Sequence, residues 1–367
     1  MISQTKCQLV WLVAIAAFLT PCIVHAQFGS GRSGGGGLAG GNVQSQRADT
    51  VLLYDEPAVR GILRDMTAKG VNLDVKGKTK NIPVHKIRAI AFAGEPGGLR
   101  QSREAIDGGQ YDVALRNLER IDTDELERDE VKQEVVFYQA LCKARLALAN
   151  GQELGAAVNQ MLAFVKRFKN SFHRFESAEL LGDLEMAAGH VAEAVRFYRA
   201  VSQATGSLKY RGQMLQANAM RQLGVDLDQA RQLYQSVSTA DGAEPRQRKL
   251  AVIGMAACSA ALNASESGAD NEIEVIERLI DEEGPGDEAL FAAAYNALGD
   301  CYRITSRPQD AILSYLHVDL LHSSQGSAHA ECLHHLAKLW DELGNPARAR
   351  SSRQKLQANY AGSSWAR

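Results

Sequence analysis

The spacing of apolar and polar positions changes near Pro96. From Thr50 to Phe92 apolar residues come in short runs, TVLLY, AVRGILRDM, VNLDV, KTKNIP and IRAIAF. Turn residues separate them at Asp55-Glu56-Pro57, Ala68-Lys69-Gly70 and Lys76-Gly77-Lys78. Val71, Leu73 and Val75 alternate with polar residues, the period-two signature of a strand with one buried face. The runs predict five short strands in residues 48–95, closing a small barrel, with Pro83 to Ile87 as a one-turn connection into the last strand. So small a module buries little apolar area and is expected to lean on the chain beyond Pro96.

After Pro96 the apolar residues recur at helical spacing, and breaks fall at GGQY, NGQE, AAGH, LGVD, ASESG, TSRP and ELGN. The pattern predicts seven helical hairpins over 96–367, beginning near Leu99, Val131, Glu176, Tyr210, Pro245, Glu288 and Ala328. The copies resemble one another. Leu181-Gly182, Gly189, Ala194 and Tyr198 recur as Leu298-Gly299, Ser306, Ala311 and Tyr315, and Gly109, Tyr111, Ala114 and Leu118 carry part of the same code. Gly109 and Gly189 stand 80 residues apart over two copies, and Gly189 and Ser306 117 apart over three, a period of 39 to 40. Small side chains at Gly182, Gly299 and Ala337 allow close helix approach. Large ones at Tyr198, Tyr302, Tyr315 and Trp340 fill the wedges between hairpins.

This code resembles the tetratricopeptide repeat (TPR), and the run from Gly61 to Phe92 resembles SH3-like and Sm-like barrels. The fold implied is mainly α: a right-handed TPR-like solenoid of about seven hairpins preceded by a small five-stranded SH3-like β-barrel. Residues 1–26 read as an export signal, with Lys6, the apolar run Leu9 to Leu19 and Val24-His25-Ala26 before the cut; residues 27–47 read as a Gly-rich flexible leader. No later segment has the roughly 20 apolar residues a membrane-spanning helix needs. Signal, leader, barrel and repeats together resemble exported repeat proteins of planctomycete type, which implies a scaffold in the periplasm or cell envelope.

Charge narrows the partners. Residues 48–95 carry eight Lys and Arg against six Asp and Glu, and 96–367 carry 30 against 37. Neither has the one-sign field of a nucleic-acid binder, so a protein or peptide partner is expected. The TPR resemblance places a partner on the concave face lined by first helices. Transferring its register gives Glu176, Glu179 and Asp183, then Asn296, Asp300 and Arg303, then Glu331, His334, Lys338 and Asp341. This mixed-charge row lacks the dense Lys and Asn set that clamps a carboxylate terminus. An alternative reading is an envelope component whose barrel binds peptidoglycan or a peptide.

Candidate chemistry adds little. HAECLHHLAKLW, His329 to Trp340, gathers ligand-type residues. On a helix His329 shares a face with Cys332, and Glu331 shares another with His335, so each face offers two ligands where a closed zinc site wants four. His317 or His322 would have to complete a site; otherwise this is a packed repeat helix, Leu333, Leu336, Ala337 and Trp340 inward, with two or three histidines facing solvent. The chain carries no GxSxG or HExxH, so no catalytic residue, metal or cofactor is assigned and a non-enzymatic role is expected. Outside the signal, Cys142, Cys258, Cys301 and Cys332 are spread singly and read as four free, mostly buried thiols.

Overall fold

A computed structural model describes residues 48–263, 269–284 and 286–366; the expected signal peptide, the leader and the ASESG break lie outside the described residues. Five strands form at the expected runs: β1 (Asp49–Leu53), β2 (Val59–Thr67), β3 (Gly70–Val75), β4 (Lys78–Pro83) and β5 (Ile87–Ala91). They make one antiparallel sheet in the order β4-β3-β2-β1-β5. A one-turn 3-10 helix, Val84–Lys86, leads into β5 as the PVHKI segment predicted. Alternation buries Val51, Leu53, Val71, Leu73, Ile82 and Ile90, while Lys78 and Lys80 leave the β4 edge charged and exposed.

The remaining described residues form helical hairpins: α1 (Gly97–Asp107) with α2 (Tyr111–Glu119), α3 (Asp129–Asn150) with α4 (Leu154–Arg167), α5 (Arg174–Ala188) with α6 (Val191–Val201), and α7 (Ser207–Leu223) with α8 (Leu227–Ser238). Then come α9 (Pro245–Leu262) with α10 (Asp270–Glu282), α11 (Glu288–Ile304) with α12 (Pro308–Leu321), and α13 (Gly326–Glu342) with α14 (Pro346–Tyr360). Each second helix packs against its own first helix and, in all but the last hairpin, against the first helix of the next. The turn after α5 takes a left-handed residue, Gly189 at φ 82°; the equivalent turn after α11 makes Ser306 do the same at φ 57°.

The sheet does not stand apart. Its inner residues share one continuous apolar core with α1 through α5, from Val51 to Ala187. A carboxylate pins the junction: Asp49, 2 % exposed, accepts from the Leu63 and Ala93 amides at 3.2 and 2.8 Å and from both Nη atoms of Arg128 at 2.7 and 3.2 Å. The Arg128 guanidinium also lies over the Phe92 ring, 5.1 Å from its centroid. On another side the His85 ring packs against Gly206, between α6 and α7.

The far end also turns inward. After α14 the chain folds back, so that Gly362 meets the Leu148 carbonyl, Gly151 meets Ala361, and Gln222 on α7 donates to Ser364 Oγ at 2.7 Å. The array winds tightly enough to bring its second, fourth and last hairpins onto one tail.

Candidate functional site

The expected groove row does not form a single open surface. Asn296, Asp300 and Glu331 are buried, which corrects their reading as partner-facing residues. The reason is Arg221 on α7, which reaches across the centre of the array to Asp300 Oδ2 and Glu331 Oε1, both at 2.8 Å. Asn296 donates to the Ala328 carbonyl at 2.8 Å and to Glu331 at 3.3 Å. The tight superhelix spends these polar groups on itself, because buried charge must be paired.

Asp183 and Asp300 have a second employment inside the repeat. Each follows the small glycine of the code and accepts the hydroxyl of the large tyrosine, Tyr198 at 2.9 Å and Tyr315 at 2.7 Å. The same tyrosine ring fills the space where a Cβ on that glycine would stand, 2.6 Å from Tyr315 in the case of Gly299. Tyr234 repeats the bond with Asn218 at 2.6 Å. Asp183 remains half-buried, and burial together with the Glu179 charge raises its pKa to about 6, against the Tyr198 hydrogen bond and Arg145.

The histidine cluster is also internal, correcting the expectation of solvent-facing rings. His329 bonds Asp319 at 2.8 Å and the Tyr360 hydroxyl at 2.7 Å, and Cys332 donates to the His329 carbonyl. His334 contacts the Trp365 carbonyl at 2.9 Å, and His335 stacks on Tyr315 and meets the Trp365 ring edge-on. Burial outweighs the nearby Asp300 carboxylate and, with smaller contributions from Arg303, His334 and Arg221, pushes His335 down to about 4, so its ring is neutral at pH 7. Among the described residues no three His, Cys, Asp or Glu side chains are placed to hold a metal ion. The four cysteines are free and buried, and burial lifts Cys142 and Cys301 to about 12, which leaves them unreactive as thiolates.

Between the sheet and the first helices lies a cleft of about 700 Å³. One wall comes from the end of β1, the adjoining turn and the 3-10 helix; the other comes from α3, α5, α7 and the N-terminus of α9. Glu176 and Glu179, both from the expected row, line it. Tyr54, Val84, Phe175 and Leu208 supply apolar surface, and Tyr54 is 65 % exposed. Arg211 grips Glu179 through Nε at 2.7 Å and Nη2 at 2.5 Å, and Lys86 pairs with Glu56 at 2.6 Å. Arg88 is exposed and has no ion-pair partner among the described residues.

Behind the cleft wall a buried histidine holds Glu176. His173, at the start of α5, contacts Glu134 Oε1 at 2.9 Å and Glu176 Oε2 at 3.0 Å while stacking on Phe137 at 3.6 Å. Burial disfavours its charged form, but the Glu134 carboxylate and then Glu176 outweigh that and hold it up at about 9. The imidazolium therefore fixes Glu176 at the cleft edge. Sequence reasoning found Glu176 and Glu179 but missed Tyr54, Arg88 and Arg211, whose pattern carries only a strand end, an exposed strand position and an ordinary helix cation. The remaining row members, Arg303, Lys338 and Asp341, are exposed, and His334 is half-buried under the tail.

No protein-family model matches the sequence, and no curated protein matches it. Solved structures do. A tetratricopeptide repeat protein from Parabacteroides merdae superposes with TM-score 0.51 at 14% identity, over 71% of this chain and 91% of that one. The C-terminal part of a TPR repeat-containing protein from Cytophaga hutchinsonii gives 0.41 at 10%, over 71% and 95%. The quorum sensor NprR from B. thuringiensis, in its apo form, gives 0.39 at 15%, over 71% and 75%. The first of these likenesses shows that the helical array has a TPR-like fold.

Proposed function

We propose that this protein is an exported, non-enzymatic scaffold of the periplasm or cell envelope that binds an extended segment of a partner protein in the cleft between its sheet and its first helices. The observation that carries this reading is the cleft itself: the open space between the sheet and α3, α5 and α7 is walled by the exposed Tyr54, the half-buried Phe175 and Leu208, and the unpaired guanidinium of Arg88. Such a lining suits a peptide whose apolar side chains seat on Tyr54, Phe175 and Leu208. Most of the cleft charges are already held by neighbours, so the surface is preorganised and little ordering cost remains for binding. The strand order, with its one-turn helix before β5, supports reading the sheet as SH3-like. An envelope role in which the sheet contacts peptidoglycan would use the same wall.

The test is recovery of partners from envelope fractions by the purified chain and by Tyr54→Ala and Arg88→Glu, with Lys338→Ala as a control outside the cleft. Loss of the same bound species with both cleft variants, and retention with the control, is the expected outcome. Equal recovery with all of them would remove the cleft from the function. Sedimentation with purified sacculi, repeated with Tyr54→Ala, separates the wall-binding alternative.

A further inference from the structure

The segment that follows α14 carries no charged residue from Ala361 to Ala366, and it lies against four first helices, α3, α5, α7 and α13. It shapes itself. Ser363 accepts the Trp365 amide on Oγ at 3.3 Å and the Ala366 amide on its carbonyl at 3.1 Å, which closes the turn Ser364–Ala366. Its contacts then run in order along the segment. Gly362 is buried where a Cβ would run into the backbone carbonyl of Leu148, near the end of α3. Ser364 Oγ accepts from Gln222 of α7 at 2.7 Å. The Trp365 carbonyl accepts from His334 Nδ1 of α13 at 2.9 Å, and the Trp365 ring lies 5.2 and 5.3 Å from the rings of His334 and His335. A small residue, a hydroxyl and an aromatic ring each meet a fitted partner, as the parts of a bound peptide do.

The array has other joints than this segment. Arg221 already ties α7 to α11 and α13, and the buried core from Val51 to Ala187 contains no residue of the tail. Ser363 through Ala366 stay half-exposed, and only Trp365 and Ala366 pack on an apolar cluster, that of the last two hairpins. A segment held by a few side-chain bonds and one ring belongs to the low-stability end of a fold.

We propose that the tail is a resident ligand of its own chain, and that its seat is a second peptide site, closed until the tail leaves. Leu148, Gln222 and His334 do not line the cleft, so this site is separate from the one described above. Its ligand is an uncharged segment with glycine, then serine two residues on, then an aromatic residue. A partner carrying such a segment has to displace the tail, whose attachment holds it at an effective concentration of about a millimolar. Binding there is therefore gated by the chain itself.

The probe is the fluorescein-labelled peptide Ala-Gly-Ser-Ser-Trp-Ala, followed by fluorescence anisotropy against the full chain. The wild type, with its seat occupied, should bind it weakly. Gly362→Val should expel the tail and leave the seat intact, so that the peptide binds on the order of tenfold more tightly or better. Adding Gln222→Ala to that variant should remove most of the gain. Hydrogen exchange supplies a readout that a structural brace would not give: in Gly362→Val the amides of residues 363–366 should lose protection while α7, α13 and α14 keep theirs. Trp365→Ala, a milder loosening, should move both measurements in the same direction. Loss of protection throughout α7 and α13 in either variant would make the tail a brace of the fold and overturn the proposal. So would equal peptide affinity in the wild type and Gly362→Val, or a tail as protected in Gly362→Val as in the wild type.

Discussion

At the scale of single residues, the chain repeatedly uses one side chain for two purposes. Asp183 and Asp300 look like surface carboxylates at groove positions, yet each is the acceptor that orients the repeat tyrosine. Gly182 and Gly299 were legible as small residues for close helix approach, because absence of a side chain is itself a signal. The partner of the carboxylate was not, since it stands on the opposite helix of the hairpin, 15 residues on. His173 gives the clearest titration. Its pKa is raised from 6.5 to about 9 in the folded state, so the stability it contributes is complete below about pH 6.5 and is lost as pH rises through about 9. That contribution amounts to about 3 kcal/mol. Thermal unfolding from pH 6 to pH 10 should show the loss in the wild type, and Glu134→Gln should flatten that part of the profile. An unchanged slope in the variant would count against the pair as its source.

At the scale of elements, packing between distant hairpins decides what is exposed. α7 sends Arg221 to α11 and α13, and the segment after α14 returns to α3, α5 and α7. Removing Arg221 alone would leave Glu331 buried without a cation and Asp300 with only Arg303, at 3.5 Å. Arg221→Met is therefore expected to destabilise by about 3–5 kcal/mol, read as a fall in the urea midpoint at unchanged m-value. Raising the salt concentration should recover little of this loss, because buried charges are weakly screened. The hairpins themselves were legible: all seven begin within a few residues of the positions that the spacing of small and large residues indicates. Their winding was not. Curvature depends on small rotations at each interface, which no local pattern records.

At the scale of the whole molecule, the sheet and the helices act as one body because they share a core and because Asp49, held by two amides on the sheet side, takes two hydrogen bonds from Arg128 across their junction. Replacing Asp49 with Ala strands two amides and the Arg128 guanidinium, and should cost about 2–3 kcal/mol. Limited proteolysis should then cut first between the sheet and α1, while the wild type resists there. If both chains are cleaved alike, the junction is not what holds the sheet in place. That attachment matters for the proposed function, since the cleft exists only while β1 and the 3-10 helix stand opposite α5 and α7. The sequence by itself determined the two periods, the five strands, the seven hairpins and the small-and-large code that packs them, because those depend on each residue and its near neighbours along the chain. Only the tertiary structure decided that Asn296, Asp300 and Glu331 are buried, that the histidines of HAECLHHLAKLW serve a returning tail, and that Tyr54 and Arg88 face Glu176 and Arg211. Such meetings join residues far apart in the chain, and the summed geometry of many interfaces brings them together.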